Sequence, residues 1–104
     1  MSYFAYDRMG NATRRPDLQK MAELLESVLA NDPEHPDVSL TNEDGWALSY
    51  FGSRTMIFEN VETGDGPWHS KGVSQEQALD LWTLLSQGRL DEIRAAEWHD
   101  GYGS

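Results

Sequence analysis

The chain has 104 residues, 18 acidic and 8 basic, a formal charge of −10 and no cysteine. The length fits one domain spanning residues 1–104, and the lack of cysteine excludes disulfides, thiolate nucleophiles and cysteine-bound metal centres. The acidity argues against a nucleic-acid partner, because affinity for phosphate backbones comes from Lys and Arg displacing counterions.

Tyr3, Phe4 and Tyr6 open the chain as a short edge strand or a packed arm, and the polar stretch with Gly10, Asn11, Arg14 and Arg15 reads as a loop. Residues 16–31 are predicted as the first helix. Pro16 suits a first turn, where its missing N–H has no intrahelical partner. Asp17 faces the positive end of the helix dipole. Leu18, Met21, Ala22, Leu25, Val28 and Leu29 recur at the spacing of one buried face, which Leu24 widens. Asn31-Asp32-Pro33 is expected to end it, since proline disfavours helical geometry in the residue before it.

Residues 37–72 read as strands and tight turns. Asn42-Glu43-Asp44-Gly45 is a strong turn signal. It leads into Trp46–Phe51, where alternation puts Trp46, Leu48 and Tyr50 on one side and Ala47 and Ser49 on the other. Residues 55–61 form the next strand, Glu62–Pro67 a glycine-rich loop and residues 68–71 a fourth short strand. Short connections favour an antiparallel meander.

A second helix is predicted over 74–87. Ser74 and Gln77 fit a capping box, and Val73 and Ala78 stand where a hydrophobic staple would. Ala78, Leu81, Trp82 and Leu85 make its buried stripe, and Gly88 is placed to end it left-handed. A short helix follows, with Asp91 at its start, Leu90 and Ile93 inward, and Ala95, Ala96 and Trp98 extending it. The tail from His99 is expected to be irregular. The predicted class is α+β: a four-stranded antiparallel meander with helices packed on one face.

The N-terminus lacks a basic segment followed by an apolar one, and no run approaches ~18 apolar residues. A cytoplasmic protein without a membrane partner is expected, as a monomer or a homodimer.

Few residues suggest chemistry. His35, His69 and His99 are the three histidines, and no two are within metal-motif spacing. Whether the fold joins them is not readable from spacing. Glu43-Asp44, Glu59 with Glu62, and Asp91-Glu92 are acidic pairs, but so small a domain rarely encloses the cleft that paired-carboxylate catalysis requires. Glu62–Gly66 lacks the ligand spacing of an EF-hand. No phosphate-binding glycine motif or nucleophile elbow is present. No cofactor and no catalysis are expected.

Charge placement is more informative. Residues 1–20 hold four bases against two acids, a net of +2. Residues 23–65 hold ten acids and one base, Arg54, a net of −9. Acids alone keep a small protein soluble. They also steer a basic partner onto the surface that bears them. Trp46, Tyr50, Phe51, Phe58 and Trp68 cannot all be assigned inward by alternation, so at least one aromatic is expected on the open face or an edge, where it could anchor a partner.

The hairpin Thr41-Asn42-Glu43-Asp44-Gly45-Trp46 is followed by Gly66-Pro67-Trp68-His69, by Gly72–Trp82, by Leu84–Leu90, and by Trp98 and Gly101-Tyr102. Over residues 37–102 this pattern resembles small acidic bacterial immunity proteins of polymorphic toxin systems. The resemblance implies a protein that binds and blocks a cognate toxin without catalysis. The residues themselves suggest a docking surface for a basic protein made of Glu43, Asp44, Glu59, Glu62 and Asp65, with Trp46 and Trp68 as anchors. The alternative is a small enzyme or metal-binding protein using His69, His99 and nearby carboxylates.

Overall fold

A computed structural model describes residues 2–28 and 37–102. The expected end of the first helix at Asn31–Pro33, its Leu29, and His35 lie outside the described residues. The chain runs β1 (Tyr3–Tyr6), β2 (Ala12–Arg14), α1 (Leu18–Ser27), β3 (Asp37–Asn42), β4 (Trp46–Phe51), β5 (Met56–Asn60), β6 (Trp68–Ser70), α2 (Gln75–Ser86), α3 (Leu90–Arg94) and β7 (His99–Asp100). The class is α+β, as expected, but the sheet has seven strands, not four. Their order is β2-β1-β3-β4-β5-β6-β7, and every neighbouring pair is antiparallel.

The expected meander is the central part, β3 to β6. The first addition is an N-terminal hairpin inside the stretch read as a loop. Asp7 builds its turn: Oδ1 accepts from the N–H groups of Met9 and Asn11 at 2.9 and 2.8 Å, and Gly10 takes a left-handed φ of 84°. The Asn11 N–H holds the Asp7 carboxyl below its ordinary pKa, because the bond favours the charged form. Residues 3–6 are therefore no edge strand. β1 lies between β2 and β3, and β2 takes the edge. The second addition is β7, which pairs Asp100 with Trp68 and His99 with His69 where an irregular tail was expected.

Register assigns the two faces. Ala5, Leu40, Leu48, Phe58 and Trp68 form one cross-strand row, flanked on the same face by Val38, Tyr50 and Met56. This face is the core side. Ser39, Ser49, Ile57, His69 and His99 form a row on the other face.

α1 starts at Leu18, with Asp17 as N-cap accepting from the Lys20 N–H at 2.8 Å. Met21, Leu24, Leu25 and Val28 are buried, whereas Leu18 is 57% exposed and Ala22 is also exposed. The buried stripe thus begins a turn later than the spacing suggested. In α2 the capping box is complete, with the Ser74 side chain accepting from the Gln77 N–H and Gln77 from the Ser74 N–H. Its C-terminus closes as a Schellman turn: Arg89 N–H to the Leu84 carbonyl at 2.9 Å and Gly88 N–H to Leu85 at 3.0 Å, with Gly88 at φ 72°. α3 stops at Arg94 and does not extend through Trp98, whose Nε1 turns back to donate to the Ile93 carbonyl at 2.7 Å.

Two buried polar tips tie α2 to the centre of the sheet. Trp82 is fully buried and its Nε1 donates to the Leu48 carbonyl at 3.1 Å. Tyr50 is also fully buried, and its hydroxyl donates to the Val73 carbonyl at 2.6 Å. Burial raises the Tyr50 phenol above its ordinary pKa. Replacing Tyr50→Phe leaves the buried Val73 carbonyl without this donor and should cost about 1–3 kcal/mol. Trp82→Ala should cost about 3–5 kcal/mol through lost transfer energy and a cavity. Urea unfolding midpoints at constant slope measure both.

Candidate functional site: the acidic, aromatic end of the sheet

The β3–β4 and β5–β6 connections meet at one end of the sheet because two buried asparagines build them together. Asn42 Oδ1 accepts from the N–H groups of Asp44 and Trp46, each at 3.0 Å. Asn60 Oδ1 accepts from Glu62 and Thr63 N–H, each at 2.9 Å, while its Nδ2 reaches across to the Asp44 carbonyl at 3.0 Å. The Val61 N–H then donates to the Gly45 carbonyl at 2.8 Å. Gly45 is required here twice over. Its φ is 89°, and a Cβ would stand 2.7 Å from Glu62 Cγ.

These turns present Glu43, Asp44, Glu62 and Asp65 as exposed residues at the same end. Among the described residues, no ion pair or hydrogen bond engages their carboxylates. Beside them lies an aromatic stack. Trp46 stacks on Phe58 with centroids 5.0 Å apart and planes at 23°, and Trp68 lies 6.4 Å from Trp46 at 20°. Trp98 closes on Phe58 at 5.4 Å. The Arg94 guanidinium sits 5.0 Å from the centre of the Trp46 ring, a cation–π contact. A groove of about 260 Å3 opens against Phe58, Trp68, Trp98, Arg94 and Asp100.

Six of the seven residues singled out in the sequence therefore gather at or beside one end. Trp46 and Trp68 are half-buried on the core side, at the margin of the stack, and not on the open face. Phe51, opposite Tyr50 by alternation, is the aromatic of the five that faces the other way.

Glu59 does not join them. It follows Phe58 in β5 and so points to the opposite face, where its carboxylate accepts from the Tyr102 hydroxyl at 3.0 Å. That hydrogen bond, reinforced by the charge of Glu59, raises the Tyr102 phenol above its ordinary pKa.

Phe58, Trp98 and Arg94 were missed as parts of this end. Only the pairing of β6 with β7 and the turn after α3 bring Trp98 and Arg94 there. The histidines His69 and His99 are direct cross-strand partners on the open face.

Comparison with protein-family models, characterised proteins and solved structures finds no match. Among the described residues, no helix is long and apolar enough to cross a membrane.

Asn60→Ala should lower stability by about 1–3 kcal/mol, because it removes the acceptor for the Glu62 and Thr63 N–H groups and the donor to the Asp44 carbonyl. It should also sharply increase amide hydrogen exchange at Glu62 and Thr63. Glu59→Gln should move the Tyr102 titration down toward that of free tyrosine, read by NMR, without altering the tryptophan signals.

Proposed function

We propose that this domain is a non-catalytic binding protein that docks a basic protein partner on the acidic, aromatic end of its sheet. The observation that supports this most is the pair of interlocked turns. They hold Glu43, Asp44, Glu62 and Asp65 together beside the half-buried Trp46 and Trp68. A set of exposed carboxylates steers a cationic partner from a distance, and the aromatic margin supplies apolar contact area once it has arrived. Turns whose backbone is already hydrogen-bonded lose little further entropy on binding. In line with the resemblance to immunity proteins, the partner we favour is a basic toxin that the domain blocks by occupying its surface.

The decisive experiment compares two charge reversals of equal size. Asp44→Lys/Glu62→Lys alters the proposed surface. Glu23→Lys/Glu26→Lys makes the same change of net charge on the exposed side of α1. Wild-type protein used as bait should retain a protein of high pI. The first variant should slow its association roughly tenfold or more at low salt, an effect that shrinks as salt is added. The second should leave association near wild type. Equal losses in both variants would reduce the acidity to a bulk property, and a retained acidic partner would overturn the reading.

A further inference from the structure

On the face away from the helices, the outer strands carry a feature that the docking surface does not use. His69 in β6 and His99 in β7 are paired directly across the strands, with ring centroids 5.6 Å apart and planes at 38°. The His69 Nδ1 lies 3.0 Å from the Gly101 carbonyl oxygen. A carbonyl only accepts, so Nδ1 carries the hydrogen in that contact, and in the neutral form of the ring the lone pair is on Nε2. A backbone carbonyl that fixes the far nitrogen is the usual support of a metal-binding imidazole. His99 is largely exposed, and its Nε2 lies 3.6 Å from a carboxylate oxygen of Glu97.

We propose that His69 and His99 chelate one late first-row divalent ion (Zn2+, Cu2+ or Ni2+) as a two-imidazole site. The separation suits it. With metal–nitrogen bonds of ~2.0–2.1 Å, two imidazole centroids on one tetrahedral ion stand ~5 Å apart. The observed centroid separation of 5.6 Å is close to that value. Imidazole ligands select these ions over Mg2+ and Ca2+, which take oxygen ligands. The Glu97 carboxylate adds attractive potential beside the site. Among the described residues, no three His, Cys, Asp or Glu side chains are grouped to hold an ion. The two imidazoles are therefore the protein ligands, and water fills the remaining positions. The ion ties β7, a strand of two residues at the sheet edge, to β6.

Calorimetric titration of the intact chain with Zn2+, and separately Cu2+, in a non-chelating buffer tests the site. One ion should bind per chain, and each of His69→Ala and His99→Ala should weaken binding at least ~10-fold. His35→Ala should leave binding unchanged. Saturating ion should raise the thermal midpoint of the wild type, and acidification should abolish the rise, because only neutral imidazole binds. His99 is exposed, so His99→Ala keeps the test valid even if His69→Ala disturbs the contact to Gly101. Amide signals of β6 and β7 should shift first on adding Zn2+. Wild-type affinity retained in both single variants, binding that depends on His35, or no saturable binding would each overturn the proposal.

Discussion

The whole arrangement depends on how one indole is buried. Trp82 presses α2 onto the sheet, and its Nε1 donates to a carbonyl of β4, the middle strand of the seven. An indole brings large apolar area but one polar atom that must find a partner. With the Leu48 carbonyl as that partner, the ring can sit deep at only one place and orientation. Tyr50 repeats the device from the sheet side, reaching the Val73 carbonyl just before the helix starts. Two directional bonds at either end of an apolar contact fix position as well as distance. Hydrophobic contact alone, being non-directional, would let the helix slide.

That fixed position decides what the helices leave uncovered. The helices pack on one face of a seven-stranded sheet, with α2 over its central strands β3 and β4 and α1 and α3 against α2. At the end where β3 meets β4 and β5 meets β6, the last residue of α3, Arg94, reaches the margin of the core. The core there is finished by rings stacked on one another: Trp46, Phe58, Trp68 and Trp98. Stacked aromatics can end a core because they bury their faces and leave an edge to solvent. Arg94 shields part of Trp46 from the α3 side. The aromatic character of this margin is thus a packing solution first, and its availability to a partner follows from it.

The residues show why some of this was readable in the sequence and some was not. β3 to β6 followed from strict alternation and from turns whose chemistry is local, such as Asn42–Gly45. α2 followed from a capping box and a glycine stop, which are also local. β1, β2 and β7 are four, three and two residues long. Such strands exist only because a neighbour pairs with them, so they carry too little pattern of their own. The Asp7 side chain did encode the first hairpin, but a carboxylate bonded to two N–H groups looks like any polar loop residue in the sequence. Glu59 is different. Its nearness to Glu62 in sequence suggested a common surface, yet the alternation that turns Phe58 inward already turns Glu59 away. The strand ends at Asn60, and beyond it the two-residue period no longer applies.

The same alternation makes the outer strands serve both faces at once. In β6, Trp68 lines the aromatic groove and His69 faces the other way. In β7, Asp100 lines that groove and His99 pairs with His69. β7 touches the sheet on one side only and is held by two residue pairs, with the Gly101 N–H adding a bond to the Pro67 carbonyl. Any interaction that fastens the imidazole pair therefore also fastens Asp100 against Trp68, a single residue away. A two-residue strand has no room to deform between its residues, so constraint on one face reaches the other through rigid backbone and not through a chain of side chains. The groove beside the acidic turns and the imidazole pair behind it are separate in chemistry. Through β7 they share a mechanical support.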